Sequence, residues 1–219
     1  MPRSSHNPRR TQPFASSHTH RGLTGLWICL VAGGFVGLGA YSHRPGPSSN
    51  PPAHWPAESV DTVTAEAEPT GAKGQLLMFV HPKCPCTRTT IDVLEELVAT
   101  HDTSDLTIDA YFYRPFDAPD DFVATETFRR TARIPGVRVH TDINGVMAAR
   151  ADAKTSGAVH FYDSDARLRF QGGLTPSRGH AGESAALFNL RALIRGDAPP
   201  PFTSPVFGCA ILPKSLRND

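Results

Sequence analysis

The sequence has little of what usually identifies an enzyme. Its 219 residues hold four cysteines, too few for a disulfide-built scaffold. It has no glycine-rich phosphate loop, no Ser-His-Asp spacing and no convincing series of zinc ligands, which leaves nucleotide enzymes and hydrolases without support. Charge of one sign is also lacking. From Gln75 to Asp219, 16 Lys and Arg stand against 17 Asp and Glu, a net −1 without a basic cluster, so nucleic acid is not an expected partner. Long apolar runs are absent except for one, which excludes a many-pass membrane protein. What remains is enough chain for one globular domain with extensions, and 20 prolines that point to some tether.

The one apolar run sets the compartment. Residues Met1 to Arg21 carry Arg3, Arg9, Arg10 and Arg21 and no acidic residue. Leu23 to Tyr41, LTGLWICLVAGGFVGLGAY, follows without a charge. It reads as a transmembrane helix over 23–41, a signal anchor, and the one-sided arginines place residues 1–22 in the cytoplasm. The rest of the chain is then extracytoplasmic. A cleaved signal peptide is the competing reading, with Gly37-Leu38-Gly39 and Ala40 as a weak small-residue site, although the run exceeds the usual apolar region. Gly33 and Gly37 form a GxxxG pair that chance composition also explains. Cys29 inside the span is a small apolar residue. Residues 42–74, rich in Pro, Ser and Ala and without apolar period, read as a disordered linker.

The remainder alternates strand and helix patterns. Leu76 to Val80 is a continuous apolar run, as expected of a central strand buried on both faces. Thr87 to Thr100 places Ile91, Leu94, Leu97 and Val98 at helical spacing. Leu106 to Tyr113 reads as a second, parallel strand. A helix is expected over 118–133, stopped by Pro135-Gly136, then a short strand over 137–140 and a short helix over 146–153. Residues 158–162 and 167–171 read as a β-hairpin, with His160 a satisfied sheet residue and His140 undecided. Glu183 to Arg195 is a closing helix with Gly196 as its cap. Right-handed crossovers give an α/β fold, a mixed sheet with helices on both faces.

Cys84-Pro85-Cys86 lies where the first strand turns into the first helix of this domain. Free amide groups and the positive end of the helix dipole favour a thiolate there. Two thiols at that place can cycle between dithiol and disulfide, with Cys84 the more reactive. His81 and Lys83 are candidates to tune the thiol, and His180 could approach a substrate at the N-terminus of the last helix. Cys209, in the tail over 198–219, is a third exported thiol that could fold back on Cys84 or Cys86, act as a resolving thiol, or complete a copper site.

Apolar strand, short cysteine motif, amphipathic helix and closing strand-hairpin-helix resemble the thioredoxin-like fold over residues 75–197. More narrowly, HPKCPCT, TSGAVHFYDSDARLRFQGGLT, RGH and TSPVFGC resemble membrane-anchored bacterial thioredoxin-like proteins of the RedB-like kind. The resemblance implies an inner-membrane location and a redox pair at Cys84 and Cys86. It also puts Thr155-Ser156-Gly157 where the family has a cis-proline facing the pair, so Thr155 and Ser156 become candidate substrate contacts. The spacer is one residue where the family usually has two. Three functions follow as expectations. The first is a thiol-disulfide oxidoreductase without a cofactor, acting on a protein thiol or disulfide. The second is a Cu(I) chaperone in which Cys84, Cys86 and either His81 or Cys209 hold the ion, since soft thiolates suit Cu(I). The third is a redox-inert interaction domain.

Overall fold

A computed structural model describes residues 17–55 and 74–212. Residues 1–16 and 56–73 lie outside the described residues, and with them most of the expected cytoplasmic segment and the second half of the expected linker. The described chain divides into two units.

The first unit is a helix, α1 (Ser17–Ser42), longer at both ends than the expected 23–41. Its 22-residue stretch Arg21–Ser42 has a mean hydropathy of 1.9. At a rise of about 1.5 Å per residue that stretch spans roughly 33 Å, the thickness of a bilayer's hydrocarbon core. Its apolar side chains point outward, Phe35 being 72% and Val36 73% exposed.

The second unit is built around β1 (Gly74–Val80). Its partner β2 (Leu106–Arg114) runs parallel to it, connected through α2 (Thr87–Thr100). On the far side of β2 lies the parallel strand β3 (Val137–Ile143). On the other side of β1, β4 (Ala158–Asp163) runs antiparallel and is joined by a hairpin to β5 (Leu168–Gly172), which pairs with the short β6 (Phe202–Thr203). The order is β3-β2-β1-β4-β5-β6. With β1 in the middle, its two faces each meet a core, which is why its sequence is an unbroken apolar run. This is the mixed α/β sheet that the sequence pattern predicts.

The two faces are covered differently. Leu76, Met78 and Val80 pack with Ile91, Leu94 and Leu97 of α2, and with Leu187 and Leu190 of α5 (Ala185–Ile194). Leu77 and Phe79 face Tyr111, Tyr162 and Trp55, the alanines of and after α4 (Val146–Arg150), and Ile211 and Leu212 of the tail. A five-residue helix cannot cover that face alone, and the chain before β1 and after β6 completes it.

The expected disordered linker over 42–74 is therefore corrected in its first part. Residues 43–55 are a strap held by backbone bonds. Gly46 N–H donates to the Val206 carbonyl at 2.8 Å, Leu168 N–H to Ala53 at 2.8 Å and Trp55 N–H to Ala166 at 2.9 Å. The Tyr162 hydroxyl donates to the Pro52 carbonyl at 3.2 Å. A proline-rich segment makes no internal ladder, so its carbonyls stay free for donors on the domain. Trp55, 5% exposed and 5.5 Å from the Tyr162 ring, anchors it.

Smaller differences have local causes. The helix expected over 118–133 is a 3-10 turn at Asp120–Val123 followed by α3 (Glu126–Thr131). The break is Thr125, whose hydroxyl accepts the Phe128 N–H at 3.2 Å and starts a new helix. His140 stacks on Tyr111 and bonds the buried Asp109 carboxylate at 2.7 Å, which Arg138 also holds at 2.8 Å. His160 is fully buried, and neither ring nitrogen has a protein partner, so the expectation of a satisfied sheet histidine is not met. Burial lowers its pKa to about 4, and the ring is neutral.

Candidate active site

After β1 the chain makes a turn in which Cys84 N–H donates to the His81 carbonyl at 2.9 Å. Cys86, already in helical conformation, precedes the first residue of α2. Cys84 is 2% exposed, Cys86 is half-buried, and all four cysteines are free thiols. The strand-helix junction thus presents Cys84 beside the first turn of α2, where Thr87 lies.

The loop before β4 comes up against this turn. Ser156 stands at the place that the resemblance gives to cis-proline. Its Oγ accepts the His81 N–H at 2.8 Å and lies 2.6 Å from the Thr87 hydroxyl. Among the described residues no peptide bond is cis. A hydroxyl here ties three segments together by hydrogen bonds, where proline could only have packed.

The tail then lies along the same loop. Ser156 N–H donates to the Cys209 carbonyl at 2.8 Å and Ile211 N–H to the Lys154 carbonyl at 3.0 Å, on either side of an antiparallel bridge between Thr155 and Ala210. This pairing brings Cys209 N–H to 3.4 Å from the Cys84 sulfur. A Cβ added at Gly208 would overlap the Ser156 carbonyl oxygen, so the close approach requires glycine. Arg178 secures the seat, its guanidinium donating to the Gly208 carbonyl at 2.8 Å and to the Arg44 carbonyl of the strap at 3.1 Å.

The two thiols that meet here are driven apart in acidity. Burial would raise the Cys84 thiol, but hydrogen bonds from the Thr87 hydroxyl, the Cys209 N–H, the Cys209 thiol and the Thr87 N–H outweigh it, and the net shift is downward. Cys209 is pushed up to about 11 by shielding of its thiol, by its hydrogen bond to Cys84 and by the charge of Cys84 and Cys86, against a pull from Arg178. Cys209 as a whole is exposed, so water screens part of the shielding and the neighbouring Cys84 charge is the cause that persists. The site therefore favours the thiolate at Cys84 over that at Cys209, whose thiol keeps its proton.

Of the candidate residues, the structure brings together Cys84, Cys209, Thr155 and Ser156, with Cys86 beside them. The His81 ring packs between Tyr113 and Phe122, its Nδ1 accepts the Lys83 N–H at 3.3 Å, and burial followed by the Lys83 charge lowers its pKa. It positions the turn through its backbone. Lys83 holds its ammonium 4.3 Å from the Phe122 ring centre and is not among the groups that lower the Cys84 thiol. The His180 ring turns back to the Arg178 carbonyl at 2.7 Å. It is separated from α5 by Ser184, the actual cap of that helix, so its expected place at the helix N-terminus is corrected. Thr87, Arg178 and Gly208 were not singled out from the sequence. Thr87 follows the motif by one residue, and RGH and VFGC were the visible signals for the other two.

Among the described residues no three His, Cys, Asp or Glu side chains gather in a way that could hold a metal ion. A cavity of about 340 Å³ between the strap and the β5–β6 edge, lined by Pro45, Ser49, Gln171, Thr203 and Val206 among others, contains none of the cysteines.

No protein-family model and no curated protein matches the chain. Solved structures do. An uncharacterized conserved protein from Geobacillus kaustophilus aligns with a TM-score of 0.55 at 20% identity, covering 78% of this chain and 93% of that one. A hypothetical protein from Sinorhizobium meliloti aligns at 0.53 and 19% identity, covering 64% and 80%. Both share the fold. A secreted Mycobacterium tuberculosis disulfide oxidoreductase homologous to E. coli DsbE aligns at 0.39 and 18% identity over 57% of this chain and 81% of that one, an overlap too loose to transfer an activity.

Proposed function

We propose that the protein is a membrane-anchored, extracytoplasmic thiol-disulfide oxidoreductase in which Cys84 is the nucleophile and Cys209 the resolving thiol. One observation carries this reading: the Cys84 sulfur is buried yet receives hydrogen bonds from Thr87 and Cys209, which favour the thiolate, while the thiol beside it keeps its proton. The arginines before α1 and the absence of charge within its apolar stretch support an anchor with the domain outside the cytoplasm.

In the reducing direction the Cys84 thiolate attacks one sulfur of a substrate disulfide, forming a mixed disulfide and releasing the other sulfur as a thiolate. That thiolate takes a proton, and Cys209 loses its own. The Cys209 sulfur then attacks Cys84 and expels the second substrate thiolate, which is protonated in turn. The substrate has gained two electrons and two protons, and Cys84 and Cys209 end as one disulfide. The reverse sequence oxidises a dithiol. Cys86, one residue from Cys84 across a proline, is the alternative resolving thiol, and has no hydrogen bond to Cys84 comparable to that of Cys209. For the Cu(I) reading, Cys84, Cys86 and Cys209 do not form a three-ligand group among the described residues. The His81 ring, turned into its aromatic slot, does not join them.

The test is exchange with a small fluorogenic disulfide by the full chain in detergent. Cys84→Ser lowers the rate by about a hundredfold or more if Cys84 is the nucleophile. A rate unchanged in Cys84→Ser rejects the function.

A further inference from the structure

The tail does more than carry a thiol to Cys84. We propose that residues 207–212 occupy the substrate groove as a built-in, displaceable mimic, and that the substrate is an extended, cysteine-bearing polypeptide segment that competes with it. This inference rests on the oxidoreductase reading and adds the substrate class and its regulation.

The tail is seated by the means with which proteins bind extended peptides: strand addition through main-chain bonds, with pockets for alternate side chains. Ser156 N–H and the Lys154 carbonyl are the two backbone groups that hold it, at 2.8 and 3.0 Å. Both bonds are made to backbone, so any extended segment can replace them. The side chains then define what fits. The position before the cysteine must be small, because a Cβ at Gly208 meets the Ser156 carbonyl oxygen. The cysteine falls at Cys84. Two and three positions later the side chains are apolar, Ile211 being 2% and Leu212 7% exposed. No residue from Phe207 to Leu212 is charged.

Further apolar side chains stand near the tail's described end. The Leu212 side chain packs over Gly145. Around it Ile143, Val146 and Phe116 stand 43%, 64% and 77% exposed, with Phe116 N–H bonded to the Asn144 side chain at 3.0 Å. A longer apolar segment would meet these side chains. Such a segment, extended and apolar around a cysteine, belongs to polypeptide that is unfolded or locally opened.

Occupancy by the tail has two consequences. It shields Cys84, which is 2% exposed with the tail in place. Substrate must displace the tail to reach the thiolate, and the returning tail brings Cys209 back to the mixed disulfide while competing for the same two backbone groups. Resolution and product release are then one event. Arg178, bonded to both Gly208 and the strap, is the clasp.

The test uses the full chain in detergent and a fluorescein-labelled peptide copying residues 203–212 with serine at the cysteine position, so that binding is non-covalent. Gly208→Ala unseats the tail by steric overlap, and Ile211→Pro does so by removing the N–H that bonds Lys154; the second variant guards against misfolding of the first. Fluorescence anisotropy should show the peptide binding both variants at least about tenfold more tightly than the wild type. A smaller difference, or no binding to any of the three, overturns the proposal. Adding Cys84→Ser to the Gly208→Ala chain separates the two readings: the peptide should still bind this double variant, so failure to bind counts against the groove, whereas absence of exchange by the wild type, with peptide binding intact, counts against the enzyme.

Discussion

The backbone N–H of Cys209 donates to the sulfur of Cys84 at 3.4 Å across 125 positions of sequence. A main-chain donor in a fixed antiparallel bridge is oriented before any reaction, and it favours the charged sulfur over the neutral one. The consequence is a division of labour between two thiols of the same intrinsic chemistry.

The first prediction concerns the other donor. Thr87→Val removes the hydroxyl that bonds both Cys84 and Ser156 while keeping the shape of the side chain. One hydrogen bond of about 0.7 to 1.4 kcal/mol corresponds to a factor of about three to ten. Alkylation of Cys84 by iodoacetamide at pH 7 should slow by that factor, and its pH profile should move to higher pH. An unchanged profile would assign Thr87 a packing role only.

Stability toward acid should depend on His160. Folded, its pKa is about 4. Unfolded, it is near the ordinary value of about 6.5. Between these values the unfolded chain takes up the proton and the folded one does not, so this contribution to stability is complete above about pH 6.5 and shrinks as the pH falls toward 4. From pH 7 to 4.5 the wild type should lose roughly 2 to 3 kcal/mol that a His160→Phe chain retains. Urea titrations at the two pH values measure it. Parallel losses in both chains would place the proton elsewhere.

The strap should be part of the fold. Trp55→Ala removes a side chain buried against Tyr162 and should lower stability by about 3 kcal/mol. Limited proteolysis should then cut within residues 43–55, which stay protected in the wild type. A change below about 1 kcal/mol with protection intact would mean that the backbone bonds of the strap suffice without its anchor.

Much of this architecture is legible in local sequence. The run Leu76 to Val80 betrays a strand buried on both faces, the spacing of Ile91, Leu94 and Leu97 a helix, and the junction between them places Cys84. The strap and the seat of the tail are not legible in that way. Gly46 meets Val206 and Ser156 meets Cys209 through backbone groups that every residue possesses, so composition and period carry no trace of the pairing. Prolines and serines made residues 43–55 resemble a tether, although Trp55 was the sign that some surface there is buried. His81, Lys83 and His180 were near the cysteines in sequence or by analogy, but ring packing and turn geometry direct their side chains elsewhere.

The most direct test of the account is the disulfide left after one turnover. The reduced full chain is mixed with a small disulfide, quenched in acid and digested with trypsin, which releases residues 84–88 and 196–214 as separate peptides. The account predicts that these two peptides are joined, that the link persists in Cys86→Ser and that it is lost in Cys209→Ser. A loop closed between Cys84 and Cys86 within one peptide, with no link to Cys209, would contradict it.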